Sequence, residues 1–389
     1  MRRRRIFWQA GSWLWIGVGV LLAAEDGRPV DGTDWVTGTL LPLVRQHEVP
    51  AMGAAIVTGS GLQAVGVAGV RKWGEIEPVR LGDVWHLGSE TKAMTATLAA
   101  LAVEEGKLRW DSRVEEVFPH LAGDLDPDAR TITLEQLLSH RAGLVPNLPW
   151  GLILRSGIHL RSQRREVVMR ALASPPRHEP GAYYEYSNTG YVVVGAMLEE
   201  TWDSDWEQLV HERVFHPLGM SAVGQGGVGT PGQLDQPWGH TAVGKPVEAN
   251  GPDVDNPPVL GPAGRVHASL EAWGKFIADQ LRGAEGKPGL LKPESYARLR
   301  QKPESGDYAL GWLVVERGWG GGEVLTHTGC NTMNFAVAWL APKRDFAVLV
   351  VCNQGDAVAE KAADAAASAL IQEWQARHNL QVGGSGKPD

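Results

Sequence analysis

A chain of 389 residues with 43% apolar and 21% charged residues can bury one large core or two modest ones, and this composition is ordinary for a soluble globular protein. The formal net charge of −8 argues against a nucleic-acid partner, which selects basic stripes. No HExxH motif or His/Cys cluster at ligand spacing is present, so neither a metal nor another cofactor is expected.

The chain opens with "MRRRRIFWQAGSWLWIGVGVLLAAEDG". Four arginines precede an apolar core from Trp13 to Leu22, and Ala23 and Ala24 lead into acidic residues, the layout of an export signal over residues 1–24. Counted from Ile6, the apolar stretch approaches the ~20 residues that span a bilayer, so an N-terminal anchor is the alternative and the one membrane link expected. "RRIF" at Arg4 to Phe7 loosely matches a twin-arginine signal. On either reading the rest works outside the cytoplasm, in the periplasm or beyond. Two cysteines, Cys330 and Cys352, give no disulfide framework; they flank two predicted strands and could pair in an oxidising compartment.

"TDWVTGTLLPLVRQHEV" has helical apolar spacing, and "AMGAAIVTGSGLQAVGVAGVR" reads as a hairpin split at Gly59-Ser60-Gly61. A helix follows from about Glu90 to Glu105, stopped by Gly106, and its apolar residues fall on all faces, so it is predicted to be buried. Thr133 to Gln136 and Ser204 to Glu207 read as capping boxes opening helices. Residues 222–262 are rich in Gly, Pro and Asp and read as long surface loops. Late in the chain "YALGWLVVERG", "EVLTHTG", "FAVAWLA" and "FAVLVVC" form an antiparallel meander, and a helix from Val358 to Arg377 closes the domain. Strands at both ends with helices between predict an α+β architecture: an antiparallel sheet flanked by helices, with a mostly helical inserted region. The expected organisation is one domain over 25–378, its α/β part at about 33–110 and 262–378, its insertion at about 111–261, and a flexible tail at 379–389.

Three short motifs can carry chemistry. Ser89 and Lys92, one helical turn apart at the start of the buried helix, offer a hydroxyl, an amine within reach of its proton and a helix end with free N–H groups. Burial would push the lysine pKa down, as a base near neutral pH requires. The plain alternative is an N-cap serine beside a solvated lysine. Tyr186-Ser187-Asn188 sits on a turn before a helix, with a phenol able to relay protons and an amide able to grip a carbonyl; by itself it reads equally as an Asn turn. His327-Thr328-Gly329 ends a predicted strand, where the glycine would let a substrate backbone lie close. Arg265, after the "GPAG" loop, could hold a carboxylate or simply be solvated. No G-x-S-x-G elbow occurs.

In order and context these motifs resemble those of the active-site-serine β-lactamases and penicillin-binding proteins. The likeness is closest to the class C branch with its D-alanyl-D-alanine carboxypeptidases and esterases. It runs from Trp35 to Trp374 and includes "LLSHRAGL", "EPGAYYEYSNTGYVVVGAMLEE", "VFHPLGM" and "GPAGRVHASLEAWGKF". The resemblance implies a hydrolase that acylates Ser89, with Lys92 and Tyr186 moving the proton from Ser89 to the leaving group. It also implies that Asn188 orients the acyl side and that His327, Thr328 and Gly329 bind substrate, holding its carboxylate or assisting Tyr186. The backbone N–H groups of Ser89 and Cys330 would form the oxyanion hole, worth about 2.7–4 kcal/mol per donor. The substrate would be a small molecule or peptide: a D-alanyl peptide or an ester, with β-lactam hydrolysis or a non-hydrolysing penicillin-binding role as alternatives. Two departures stand out. His327 replaces the lysine usual in class C β-lactamases, and Cys330-Asn331-Thr332-Met333-Asn334 replaces the usual small residues. A histidine acting there by protonation would make activity titrate near pH 6.5.

Overall fold

The computed structural model describes residues 33–153, 157–241, 244–248 and 255–378. The expected signal and tail, residues 1–24 and 379–389, lie outside them. In chain order the elements are α1 (Thr33–His47), β1 (Ala51–Thr58), β2 (Gly61–Gly69), β3 (Val84–His86), α2 (Thr91–Glu104), α3 (Val114–Val117), α4 (Leu134–Leu138), α5 (Leu160–Leu172), α6 (Asn188–Trp202) and α7 (Trp206–Val210). There follow β4 (Val223–Gln225), α8 (Gly261–Gly264), β5 (Val266–Ser269), α9 (Leu270–Ala284), α10 (Pro293–Leu299), β6 (Leu313–Arg317), β7 (Gly322–Cys330), β8 (Phe335–Ala341), β9 (Phe346–Cys352) and α11 (Ala357–Arg377).

Six antiparallel strands form one sheet in the order β2-β1-β9-β8-β7-β6. The amino-terminal hairpin is therefore sealed onto the late meander, with Met52 opposite Cys352 and Val57 opposite Ala347. Strand β1 is buried on both faces because helices cover both, which is why it reads as a continuous apolar run rather than an alternating one. On one face α1 and α11 pack through Val36, Leu40 and Val44 against Ala359, Ala363, Leu370 and Trp374. Gly66 admits α1 there: a Cβ at that position would meet Val36 Cβ at 2.9 Å. On the other face lie α9, through Trp273, Phe276 and Ile277, and α2, through Met94 and Leu98. Each such fully buried large side chain contributes about 1.5–3 kcal/mol of hydrophobic stabilisation. A small sheet, ordered β3-β5-β4, lies beside the main one.

Helix α2 is central, buried on nearly every face as its unbroken apolar pattern predicted, and it ends before Gly106 at φ +69°. Helix α4 has the predicted capping box, with Thr133 Oγ1 accepting from Gln136 N. The box at Ser204–Glu207 does not form. Helix α7 starts at Trp206 behind Asp205, and Ser204 Oγ is buried without a partner. Glu207 turns instead to Arg164, whose fully buried guanidinium is paired with both Glu199 and Glu207. A buried cation competes for a carboxylate more strongly than a backbone N–H at a helix end. The loop reading of 222–262 also needs correction, since Val223–Gln225 pairs with Val266–Ala268 as an edge strand. Cys330 and Cys352 are unpaired: Phe335 on the intervening strand faces both, leaving Cys352 buried and Cys330 exposed.

Candidate active site

Ser89 lies in a single 3₁₀ turn, Gly88–Glu90, which runs into α2. Gly88 sits at φ +52°, and a Cβ there would fall 2.5 Å from Cys330 N. A Cβ on Gly329 would fall 1.9 Å from Leu87 O and 2.8 Å from Ser89 N. Two glycines thus let the turn and the end of β7 touch backbone to backbone, which brings the N–H groups of Ser89 and Cys330 into one neighbourhood. Gly329 makes room for the protein's own turn, rather than for a substrate backbone as its strand-end position first indicated.

Lys92 is fully buried, not solvated. Its Nζ lies 3.0 Å from Ser89 Oγ, 2.8 Å from Asn188 Oδ1 and 2.7 Å from Ala263 O. Among the described residues no carboxylate pairs with it, and desolvation drives its pKa well below that of a free lysine. A neutral amine has two N–H donors and one lone pair. Asn188 Oδ1 and Ala263 O can only accept, so in the neutral form they would take both protons and leave the lone pair to the serine hydroxyl. Asn188 is held in turn by Asn147, whose Oδ1 accepts from Asn188 Nδ2 at 2.9 Å.

Tyr186 donates to Ser89 Oγ at 2.7 Å. Burial raises its pKa, so the phenol keeps its proton. Ser187 caps α6 by accepting from Gly190 N at 3.0 Å, which fixes the tyrosine just before the helix and Asn188 at its first position. The serine hydroxyl therefore receives a hydrogen bond from Tyr186 and lies within hydrogen-bond reach of Lys92 Nζ.

His327 lies in the cluster but does not bond to Ser89. Its Nδ1 is 2.7 Å from Thr328 O and its Nε2 is 3.0 Å from Tyr308 OH. The carbonyl can only accept, so Nδ1 carries the proton and Nε2 receives the phenol. Burial first, and then the repulsion it would feel from a charged Lys92, pushes its pKa down to about 3. The imidazole is neutral throughout the physiological range and offers no charge to a carboxylate. Thr328, the next residue, is exposed. Arg265 is neither solvated nor free for substrate, because its Nε bonds Asp255 Oδ2 at 2.8 Å.

Motif reading missed four contributors. Tyr308 orients His327; His140, at φ +58°, stacks within 4.4 Å of Tyr186 and 4.6 Å of Tyr308 while its Nδ1 accepts from Ser187 N. Asn147 and Ala263 complete the surroundings of Lys92. His140 falls in "LLSHRAGL" and Ala263 in "GPAG", two of the segments that carried the resemblance, but nothing in those segments names the partner of either residue.

Comparison with known proteins agrees with this geometry. The family model described as beta-lactamase matches residues 36–373. Protein flp of Staphylococcus aureus (strain MW2) is 24% identical over 276 residues, 69% of this chain and 52% of that protein. Penicillin-binding protein 4 of Amycolatopsis lactamdurans is 30% identical over 175 residues, 45% of this chain and 44% of that one, so the chain spans about half the length of these curated relatives. The crystal structure of SurE superposes with a TM-score of 0.70 at 24% identity, over 92% of this chain and 78% of that one. D-alanine carboxypeptidase AmpC from Burkholderia cenocepacia gives 0.68 at 21%, over 86% and 98%. At such identities the superpositions establish the fold. The chain belongs to the β-lactamase family, among the class C-like relatives of the active-site-serine β-lactamases and penicillin-binding proteins.

Proposed function

We propose that the protein is an exported serine hydrolase that acts on an amide or ester through an acyl-enzyme on Ser89. The observation that carries the proposal is the fully buried Lys92, whose Nζ lies 3.0 Å from Ser89 Oγ and whose pKa desolvation drives well below that of a free lysine. In the reaction Lys92 takes the serine proton as the oxygen attacks the carbonyl, Tyr186 gives its proton to the departing amine or alkoxide, and the proton held by Lys92 then passes to the Tyr186 phenolate so that both groups are reset. The developing oxyanion rests against the N–H groups of Ser89 and Cys330. Asn188 presents its amide to the acyl side. Water then repeats the sequence on the acyl-enzyme.

A D-alanyl peptide is the first substrate class, supported by the carboxypeptidase name of one structural relative and by the likeness to a penicillin-binding protein. Esterase-like activity is the second, and one observation favours it: the strand edge presents a neutral His327 and an exposed Thr328 hydroxyl, a surface that suits a leaving group without charge. Export rests on the arginine-led amino-terminal segment. Among the described residues no helix is long and apolar enough to cross a membrane. The test is hydrolysis of a D-Ala-D-Ala peptide, p-nitrophenyl butyrate and nitrocefin by the parent protein and by Ser89→Ala. Turnover of at least one substrate that vanishes in the variant is expected; turnover that survives it would remove Ser89 from the reaction.

A further inference from the structure

Next to the serine turn, at Gly88, lies a second polar cluster that the reaction above does not use. His86, the last residue of β3, is buried, and its Nδ1 accepts a hydrogen bond of 3.0 Å from Gly88 N. An imidazole nitrogen that accepts an N–H must carry a lone pair, so in the neutral ring the proton sits on Nε2. Nε2 faces Asp255 Oδ1 at 2.6 Å, and both side chains are nearly inaccessible, at 2% and 4%. The Asp255 carboxylate also receives Arg265 Nε at 2.8 Å and Asn331 Nδ2 at 3.4 Å. Asn331 directly follows Cys330, and its Oδ1 accepts from Asn334 N at 2.9 Å, which closes the loop after β7.

One carboxylate thus reaches both backbone segments that flank the attack site. Through His86 it holds the peptide before Ser89, and through Asn331 it holds the peptide after Cys330. The same turn is tied to β5 by Leu87 N to Val266 O at 2.9 Å and by Thr91 Oγ1, which donates to Gly88 O at 2.7 Å and accepts from Val266 N at 3.1 Å. The spacing of the two N–H donors is a property of backbone, which no side-chain rotamer can adjust, so it must be set by the groups that hold that backbone. We infer that His86 and Asp255 are positioning residues: Asp255 fixes the His86 tautomer, His86 fixes the place of the Leu87–Gly88 peptide, and together they hold the two-donor oxyanion hole to the shape of the tetrahedral intermediate. The inference rests on Ser89 acylation as proposed above.

Its test compares His86→Phe, which keeps a ring and loses the acceptor, with His86→Asn, whose amide oxygen can again accept from Gly88 N. Steady-state hydrolysis of p-nitrophenyl butyrate, inhibition by phenylboronic acid (whose serine adduct places an oxygen in the hole) and Ser89 labelling by a fluorophosphonate are measured on each full-length protein. Removing one oxyanion donor outright costs about 10²–10³ in kcat, and a slackened hole less. For His86→Phe we expect kcat to fall at least ~10-fold with KM nearly unchanged, a parallel weakening of the boronate, and substantial recovery in His86→Asn. Wild-type kcat and boronate affinity in folded His86→Phe would overturn the inference, as would equal losses in both variants, because packing alone would then account for them. Should His86→Phe fail to fold, Asp255→Asn decides. An amide that donates to Nε2 moves the imidazole proton to Nδ1, against Gly88 N–H, so the same split between kcat and KM is expected and an unchanged kcat overturns the inference. Labelling that persists in Ser89→Ala would remove the acylation reading and this inference with it, whereas labelling that depends on Ser89 but not on His86 or Asp255 would remove the inference alone.

Discussion

Replacing Lys92 by methionine separates the two consequences of burying a lysine without a counter-charge. In the unfolded chain lysine keeps its proton up to about pH 10.4, whereas in the native protein desolvation has pushed its pKa far lower. Between those two values unfolding takes up one proton, so native stability rises with pH by about 1.36 kcal/mol per pH unit from this group alone. Methionine fills similar volume and abolishes that slope, so the unfolding free energy of wild type minus that of Lys92→Met should rise with pH between those two values. Urea unfolding at three pH values measures it. The same substitution removes the proposed base and should slow Ser89 acylation at least ~10²-fold, the low end of acid–base catalysis and near 2.7 kcal/mol of barrier. Parallel stability lines for the two proteins would mean that Lys92 is charged in the native state, and a charged ammonium cannot accept the serine proton.

Tyr186→Phe keeps the ring against His140 and loses only the phenol that bonds Ser89, so acylation should slow ~10²-fold with little loss of stability; an unchanged rate in single-turnover assays would assign the leaving-group proton elsewhere. The pH profile of turnover between 5 and 8 should lack an inflection from His327, since its pKa is about 3; an inflection near 6.5 that disappears in His327→Gln would contradict the buried, hydrogen-bonded geometry. Glu90, the last residue of the serine turn, is buried, accepts from Ala338 N at 3.1 Å, and has its pKa raised well above the usual carboxyl range by desolvation. The unfolded carboxyl ionises near pH 4.3, so Glu90 stabilises the native protein fully only below that value and progressively less as pH rises towards its raised native pKa. Glu90→Gln should therefore become steadily more stable than wild type from pH 5 upward in thermal melts; a constant difference would show that the carboxyl is ionised in place.

The sheet was legible because strand periodicity and turn residues are local: "GSG", "WGGG" and "PKRD" each mark a reversal that the chain makes there. Helix α2 was legible for the same reason, since apolar residues on every face leave a helix no exposed side. The pairing of Ser89 with Lys92 could be read from helical spacing, but the approach of Tyr186 and Asn188 to that pair depends on how α6 docks against α2, and no spacing rule gives that. His327 shows the limit most clearly. Its place at a strand end was readable, whereas its neutrality is set by Tyr308, which arrives from a different segment and takes the nitrogen a substrate would need. Ser204 misled because a capping pattern competes with whatever else its glutamate can reach, and a buried arginine 43 positions before that glutamate is invisible to a four-residue motif.

The strand order has a temporal meaning as well. Strands β1 and β2 find their sheet partner only in β9, after almost everything else has been made. Until then the hairpin has both edges open, and early on the backbone of β7 that must lie against the serine turn has yet to arrive. Pairings between such remote stretches close large loops and assemble slowly. The nascent polypeptide can therefore carry Ser89 long before the strand edge that flanks it exists, and the pocket is complete only when the sheet is.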